Sequence, residues 1–213
     1  MRSLLWPGLA LSLLLSGCIG SLGKPPPEVH EYRLDYPPPA ASGSPLPVVL
    51  QIARFRAAAV YARESIVFRE GEYETGTYFY HRWIASPASM LADLLARDFA
   101  ASGLYHGVQQ GASLVVADYE LSGNIDEIEE RITANEAKAH LSLRLLLAQT
   151  NATERPLVLQ RSYSADEPCA SSQPESLAAA MSRAAQQISA RVQQDVYAAV
   201  TDDLSRRQPH RPR

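Results

Sequence analysis

Alternation of apolar and polar residues predicts the second half of this chain to be largely sheet. Leu114–Ile128 alternates in its second half, and Ala134–Leu147 repeats the pattern with its alanines and leucines on one side. A period of two sends successive side chains to opposite faces, so both segments are predicted to be half-buried strands. Tyr105–Gln109 and Leu157–Ala165 are expected to add two more strands.

The N-terminal half predicts shorter strands. His30–Tyr36 is expected to be a strand that a run of three prolines ends, because proline cannot donate to a ladder. Leu46–Phe55 is mostly apolar, which is typical of a strand that is covered on both faces. Ser65–Arg69 and Tyr73–Trp83 are rich in β-branched and aromatic residues around a glycine, and this pattern predicts a hairpin.

Helical spacing appears in two places. Ser86 followed by Pro87 is a typical helix start, and Gly103 is placed to end that helix in a left-handed conformation. Ser172 and Glu175 have the spacing of a capping box, and apolar residues follow at helical intervals up to about residue 204. We therefore expect two amphipathic helices, each with one apolar stripe.

These elements predict an α+β fold in which a mainly antiparallel sheet carries both amphipathic helices on one face. The opposite face is expected to stay polar and to meet solvent or a partner. Residues 30–205 are enough to build one core, so a single domain is predicted, followed by a disordered basic tail at residues 206–213.

The N-terminus predicts a lipoprotein signal peptide over residues 1–17. Arg2 precedes the apolar stretch Leu4–Leu15, and two small residues stand before Cys18, which together form a lipobox. A helix of about 12 residues is ~18 Å long, well short of the ~30 Å of a bilayer core. We expect cleavage before Cys18 and lipidation of that cysteine; the alternative is an ordinary secretory signal with a coincidental cysteine.

Residues 18–29 are expected to be the lipidated cysteine and a tether. Ile19–Val29 contains two glycines and three consecutive prolines, and eleven such residues reach at most about 34 Å. Ile19 is not the aspartate that resembles an inner-membrane retention signal. Sorting to the outer membrane, with the domain on its periplasmic face, is therefore the expectation.

Charge and cysteine content narrow the classes of protein further. The formal charge of −3 becomes −4 once Arg2 leaves with the signal peptide, and no basic excess points to nucleic acid. The chain has two cysteines, so lipidation of Cys18 leaves Cys169 without an intramolecular partner. We expect Cys169 to be an unpaired, partly covered thiol in a loop.

The sequence contains no arrangement of residues that is typical of a catalytic site. No histidine pair has metal-ligand spacing, no serine lies in a Gly-x-Ser-x-Gly elbow, and no glycine-rich loop precedes a lysine. His140 is expected to be an exposed sheet histidine. An acidic cluster is expected only to solvate a hairpin end; its members are Asp126, Glu127, Glu129 and Glu130. We therefore predict no enzyme activity, no metal and no cofactor.

Several stretches together resemble the ABC-type transport auxiliary lipoproteins, which include the PqiC-like lipoproteins of intermembrane lipid-transport operons. The resemblance covers nearly the whole mature chain and depends on the order and spacing of short motifs. These are Tyr32–Leu34, Ile66–Arg69, Tyr80–Trp83 with Pro87, Met90 and Leu91, Asp118–Ile125, and Ala180–Met181.

This resemblance implies a non-catalytic outer-membrane lipoprotein that acts with an ABC ATPase, a permease and an MCE-domain protein. The first hypothesis is a docking module that holds the MCE protein at the outer membrane for transport of lipid or another hydrophobic compound. Tyr80, Arg82 and Trp83 either contact a partner or have structural roles, with Trp83 in the core. The alternatives are a periplasmic lipid-binding carrier and an envelope-assembly lipoprotein; self-association into a homo-oligomer stays open.

Overall fold

A computed structural model describes residues 27–111, 115–152, 154–171 and 173–207. The signal peptide, Cys18 and most of the predicted tether lie outside the described residues, as do residues 208–213 of the predicted tail. The strands are β1 (His30–Tyr32), β2 (Leu46–Ile52), β3 (Arg56–Ala57), β4 (Ser65–Glu70), β5 (Glu74–Trp83), β6 (Tyr105–Gln110), β7 (Tyr119–Ile132), β8 (Ala137–Gln149) and β9 (Leu157–Pro168); the helices are α1 (Pro87–Ser102) and α2 (Pro174–Arg207).

Strand β7 organises the sheet. One of its edges pairs with β8 along the whole strand, antiparallel, and β8 pairs in turn with β9. The other edge is shared by β2, β3 and β4 in succession, and all three run parallel to β7. Strand β2 continues to β6 in parallel, while β4 continues to β5 and β5 to β1.

The prediction of a mainly antiparallel sheet is therefore wrong, because the sheet is mixed. The predicted hairpin β4–β5 and the β7–β8 and β8–β9 pairs are antiparallel and are joined by short turns. The parallel pair β2–β6 is connected instead through the whole segment that contains β3, β4, β5 and α1, and parallel pairing requires such a long crossover. Alternation identifies the buried face of a strand, whereas strand direction depends on these connections.

Both helices form where the spacing predicts them. Ser86 caps α1 by accepting a hydrogen bond from the Ser89 amide, and Gly103 ends the helix at φ 65°. Helix α2 has 34 residues, which corresponds to about 51 Å, and it continues through Arg206 and Arg207. Ser172 of the predicted capping box lies outside the described residues. Neither helix combines the length and the apolarity that crossing a membrane requires.

The core lies between one face of the sheet and the two helices. Leu121 and Ile125 of β7 and Leu143 and Leu145 of β8 are fully buried on that face, and the apolar stripes of both helices join the same cluster. Helix α1 contacts β6 and β7, whereas α2 contacts β8 and β9. The predicted placement of both helices on one face is confirmed.

One charged side chain is buried between the helices. Asp98 of α1 is completely inaccessible to solvent, and its carboxylate accepts hydrogen bonds from the Tyr36 hydroxyl at 3.0 Å and the Ser189 hydroxyl at 2.6 Å. The Arg97 guanidinium donates to the second oxygen at 2.8 and 2.9 Å. Asp98 therefore joins the segment after β1, helix α1 and helix α2.

Candidate docking surface

A bulge in β5 exposes two aromatic rings. Thr77 pairs with Val67 and Arg82 pairs with Ser65, so the four residues from 78 to 81 stand opposite Ile66 alone. A bulge of this kind redirects side chains away from the regular pleat. The Phe79 side chain is 86 % exposed and that of Tyr80 is 43 % exposed, and their ring centroids are 4.9 Å apart.

Two exposed aliphatic side chains flank these rings. Val29 is exposed and directly precedes His30, which pairs with His81, the residue after Tyr80. Ile84 follows Trp83 and donates its amide to the Tyr32 carbonyl. We call the surface formed by Val29, Phe79, Tyr80 and Ile84 the aromatic edge. The described chain begins at Pro27, two residues before Val29 of this edge.

The three residues singled out from the sequence have different environments. Trp83 is 1 % exposed and belongs to the core, and the Arg82 guanidinium donates to the Glu31 carboxylate at 2.5 and 3.0 Å. Tyr80 and Arg82, the latter through an exposed ion pair, are therefore both accessible to a partner, whereas Trp83 is not. Cys18, the predicted lipidation site, lies outside the described residues.

Phe79 was not among the residues predicted from the sequence, although the sequence contains a signal for its exposure. Tyr78, Phe79, Tyr80 and His81 are four consecutive aromatic residues. A regular strand buries at most every second residue on one face, so a run of four rings cannot all enter the core. The Tyr78 ring packs edge-on to Phe68 and His81, which leaves Phe79 and Tyr80 to the surface.

The acidic cluster has a different setting from the one predicted. Strand β7 continues to Ile132, so Glu129 and Glu130 lie within the strand and are both 2 % exposed. Glu129 accepts hydrogen bonds from Tyr61 at 2.6 Å and Arg131 at 3.0 Å, and its carboxylate lies 2.5 Å from the Arg69 guanidinium. The expectation of a solvated hairpin end is wrong, because tyrosine and arginine partners on neighbouring elements compensate the buried charge.

The two neighbouring glutamates have pKa values shifted in opposite directions. Burial alone would raise the pKa of Glu129, but hydrogen bonds from Tyr61 and Arg131 and the charge of Arg69 hold it below its usual value. Burial raises the pKa of Glu130, and the hydrogen bond from the Tyr78 hydroxyl offsets only part of that effect. The lowered pKa keeps Glu129 ionised at neutral pH, where it pairs with Arg69 and Arg131.

His140 is buried rather than exposed, which corrects the expectation from the sequence. Its Nδ1 atom lies 2.7 Å from Asp166 of β9, and its Nε2 atom lies 3.0 Å from Glu127 of β7. Strand β8 runs between those two strands, so carboxylates approach the ring from both sides and cover it. No group of three or more metal-ligating side chains occurs among the described residues.

Cys169 is a partly covered thiol just after β9. Burial, together with the nearby Glu130 carboxylate, raises the pKa of the Cys169 thiol from 9.0 to about 11. Only the thiolate is nucleophilic, so the reactive fraction at pH 7 is about 100-fold lower than that of an unshifted thiol.

We therefore expect slow modification of Cys169 by a disulfide reagent at pH 7, with a rate that rises about tenfold per pH unit towards pH 11. Stopped-flow measurement between pH 7 and pH 9 checks this expectation, with the urea-unfolded chain as the fast reference. Equal rates for the folded and unfolded chains at pH 7 would contradict it.

Two surface depressions have mixed walls of apolar, charged and amide groups. One of about 470 Å³ lies between the N-terminus of α1 and the loop after β2, and Arg54, Ser86, Asp93 and Gln110 line it. Another of about 450 Å³ includes Arg54, Arg56 and Asn124. Both depressions are open to solvent and include charged side chains, whereas a pocket for an acyl chain buries most of its ligand within mainly apolar walls.

The sheet face opposite the helices is polar, as predicted. Asn124, Arg144 and Ser162 form one row across β7, β8 and β9, on the side opposite the buried row of Ile125, Leu143 and Tyr163. Arg144 donates to Asp126 at 2.8 Å in an exposed ion pair. We call the row Asn124, Arg144 and Ser162 the polar face.

Comparison with known proteins gives one family and several structures of similar fold. The sequence profile of the family described as ABC-type transport auxiliary lipoprotein component matches residues 32–193. No curated protein matches the chain.

Solved structures share the fold at low sequence identity. The crystal structure of protein XCC0632 from Xanthomonas campestris is 20 % identical, with a TM-score of 0.76, and the match covers 83 % of this chain and 99 % of that one. The crystal structure of an uncharacterized protein is 12 % identical, with a TM-score of 0.63, and covers 80 % of this chain and 99 % of the other. At these identities the likeness concerns the fold alone.

Proposed function

The chain belongs to the family of ABC-type transport auxiliary lipoprotein components, and on this premise we propose that it docks an MCE-domain protein at the outer membrane. As a member of the family it is an auxiliary lipoprotein of a transport system, held at a membrane of the cell envelope. The finer proposal is a non-catalytic module on the periplasmic face of the outer membrane. The family match over residues 32–193 carries the proposal.

In this proposal the anchor is the acylated Cys18. Cleavage after residue 17 leaves Cys18 at the N-terminus of the mature chain, and palmitate or a similar acyl chain holds it in the bilayer. The segment to Val29 reaches at most about 34 Å, so the domain stays close to the membrane surface.

In this proposal, other components supply the energy for transport and the passage of the cargo through the membrane. The sequence has no nucleotide-binding loop, so an ABC ATPase and a permease of the same system would drive transport. The MCE-domain protein would bring the cargo, a lipid or another hydrophobic compound, to the domain.

The polar face is the proposed contact with the MCE-domain protein. It lies away from the helices, and its Arg144–Asp126 pair is exposed, so either partner can exchange its ion pair for one with another protein. Exposed pairs contribute only about 0.2–1 kcal/mol to stability, so exchanging this pair for another costs little free energy. A polar surface suits a reversible protein contact.

Docking is favoured over the lipid-carrier alternative because both depressions are open to solvent and contain charged side chains, Arg54 and Asp93 in one and Arg54 and Arg56 in the other. Native mass spectrometry of the protein without its acyl chain distinguishes the two functions. Bound lipid at unit stoichiometry would favour the carrier. An envelope-assembly role would instead be favoured by genes for assembly factors, rather than an ATPase, a permease and an MCE protein, beside this one.

The docking proposal predicts co-purification with the MCE-domain protein in mild detergent. We expect Arg144→Glu to lower recovery of the complex about tenfold, because it places a carboxylate beside Asp126 on the contact face. Arg206→Glu makes the same change of charge at an exposed position near the end of α2 and should leave recovery unchanged. The measurement is a pull-down at equal protein concentration.

Two results would contradict this proposal. The first is failure of the wild-type protein to co-purify under conditions that keep the MCE oligomer intact. The second is an equal loss of recovery for both variants. Thermal unfolding of each variant shows that the fold is retained.

A further inference from the structure

We propose that the aromatic edge rests on the surface of the bilayer that holds the acylated Cys18. The domain would then contact the membrane with protein side chains as well as with its lipid. This inference rests on the anchor in the proposed function, but not on the identity of the docking partner. It assigns a role to Phe79, Val29 and Ile84 as well as to Tyr80.

The exposed side chains have the chemistry of a membrane interface. An isolated exposed apolar residue is ordinary, but here two touching rings and two aliphatic side chains share one edge of the sheet. Phenylalanine offers an apolar ring, and tyrosine adds a hydroxyl that can stay at the level of the headgroups. The bulge in β5 holds both rings outside the core.

The chain path brings this edge to the bilayer. Val29 belongs to the aromatic edge and is also the last residue of the predicted tether, eleven residues after Cys18. A linker of that length gives an effective concentration on the order of millimolar for any contact near its end. Contacts too weak to bind a vesicle on their own would therefore be occupied in the anchored protein.

Charge argues for a neutral lipid surface. Arg82, the cation within this part of β5, is paired with Glu31. Glu70, Glu72 and Glu74 lie in and beside the turn between β4 and β5, and the described strands β1 and β5 carry no excess of basic residues. Attraction to anionic lipid is therefore absent as a driving force, and the contact depends on insertion of the rings among headgroups such as phosphatidylethanolamine.

Such a contact is the second of two attachment signals. Two aromatic rings without an acyl chain bind a membrane only weakly, and stable attachment requires an additional signal. The acyl chain on Cys18 would hold the protein at the bilayer, and the aromatic edge would set the orientation of the domain. The β1–β5 edge would face the lipid, and the start of β7 would point away from it.

The test places a tryptophan at the edge of the full acylated protein. Phe79→Trp is reconstituted into vesicles of phosphatidylethanolamine and phosphatidylglycerol whose acyl chains are brominated, which quench nearby tryptophan. Val116→Trp is the matched control, because Val116 is 79 % exposed and precedes β7 at the end remote from β4 and β5. The native Trp83 is buried and provides the baseline.

We expect the tryptophan at position 79 to lose at least half of its emission in brominated vesicles, and the tryptophan at position 116 to lose less than a tenth. The loss of emission at position 79 should persist at high salt and at any ratio of the two lipids. Equal quenching at both positions, or none at position 79, would overturn the proposal. Loss of quenching at high salt would equally overturn it, since charge would then carry the contact.

Controls separate the contact from the anchor. Mass spectrometry of the purified protein first establishes that Cys18 is acylated, so a missing anchor is distinguished from a missing contact. If position 79 is shielded from quencher and crosslinks to a second copy or to the MCE-domain protein, the edge is a protein interface and the proposal fails. Unchanged thermal unfolding shows that both variants fold.

Discussion

Replacing Cys18 by alanine is expected to release the protein from the membrane fraction while the domain remains folded. The physical reason is that the acyl chain contributes about 0.8 kcal/mol per buried methylene, far more than the weak contact proposed for the aromatic edge. We expect the membrane-bound fraction to fall more than tenfold, and transport by the system to be lost with it. Cell fractionation and labelling with radioactive palmitate measure both the release and its cause.

The design of this experiment must exclude retention by an uncleaved leader. The Cys18→Ala chain is therefore produced behind a secretory signal with a small-residue cleavage site, so that the leader is removed without lipidation. Cys169→Ala, behind the native leader, is the matched control and should remain labelled and membrane-bound. A Cys18→Ala protein that supports full transport would show that the anchor is dispensable and would contradict the proposed function.

Replacing Asp98 by alanine is expected to be the most damaging single change among the polar residues described above. The substitution removes the shared acceptor of the Tyr36 and Ser189 hydroxyls and leaves both buried donors unsatisfied. Burial and the Asp98 charge raise the pKa of the Tyr36 hydroxyl, so that group stays a protonated donor throughout the neutral range. Each unsatisfied buried group costs about 1–3 kcal/mol, so a loss of about 3 kcal/mol is expected.

The measurement is urea unfolding of chains that begin with serine in place of Cys18. A loss of about 3 kcal/mol corresponds to a decrease in Tm of roughly 6–12 °C for a domain of this size. Asp93→Ala is the matched control, because Asp93 is exposed on the same helix and accepts one hydrogen bond, from Gln110. We expect it to change the free energy of unfolding by less than about 0.5 kcal/mol. Equal stability of the two variants would refute the role assigned to Asp98.

Local chemistry accounts for the parts of the fold that were predicted well. The serine cap and the glycine end of α1 act within one turn of the helix, and the period of β8 is visible within six residues. The β4–β5 hairpin follows from the glycine in its turn. Each of these features depends on neighbours in the sequence, so the sequence contains the information directly.

The predictions that were wrong concern contacts between residues that lie far apart in the sequence. The parallel pairing of β2 with β6 depends on a connection that includes three strands and α1. His140 is buried because Glu127 and Asp166 approach it from two other strands. The partners of Glu129 lie on the 3-10 helix Ala59–Tyr61, on β4 and on β7 itself. No periodicity or spacing reports such partners.

The functional features divide in the same way, into those that depend on short segments and those that depend on tertiary packing. The lipobox at Cys18, the absence of a catalytic motif and the resemblance to the auxiliary lipoproteins can be read from the residues in order, because each depends on short segments. The exposure of Phe79 depends on a bulge opposite Ile66, and the burial of Trp83 depends on the packing of the core cluster.

The sequence by itself thus predicted a lipid anchor and determined the class of protein and most of the helices and strands, because these follow from the local order of apolar, small and capping residues. The tertiary structure alone decided the direction of the strands, the buried ion pairs and which aromatic residues reach the surface. The physical reason is that burial and pairing are set by residues far apart in the chain, such as Asp98 with Tyr36 and Ser189, which meet only when the sheet and both helices pack together.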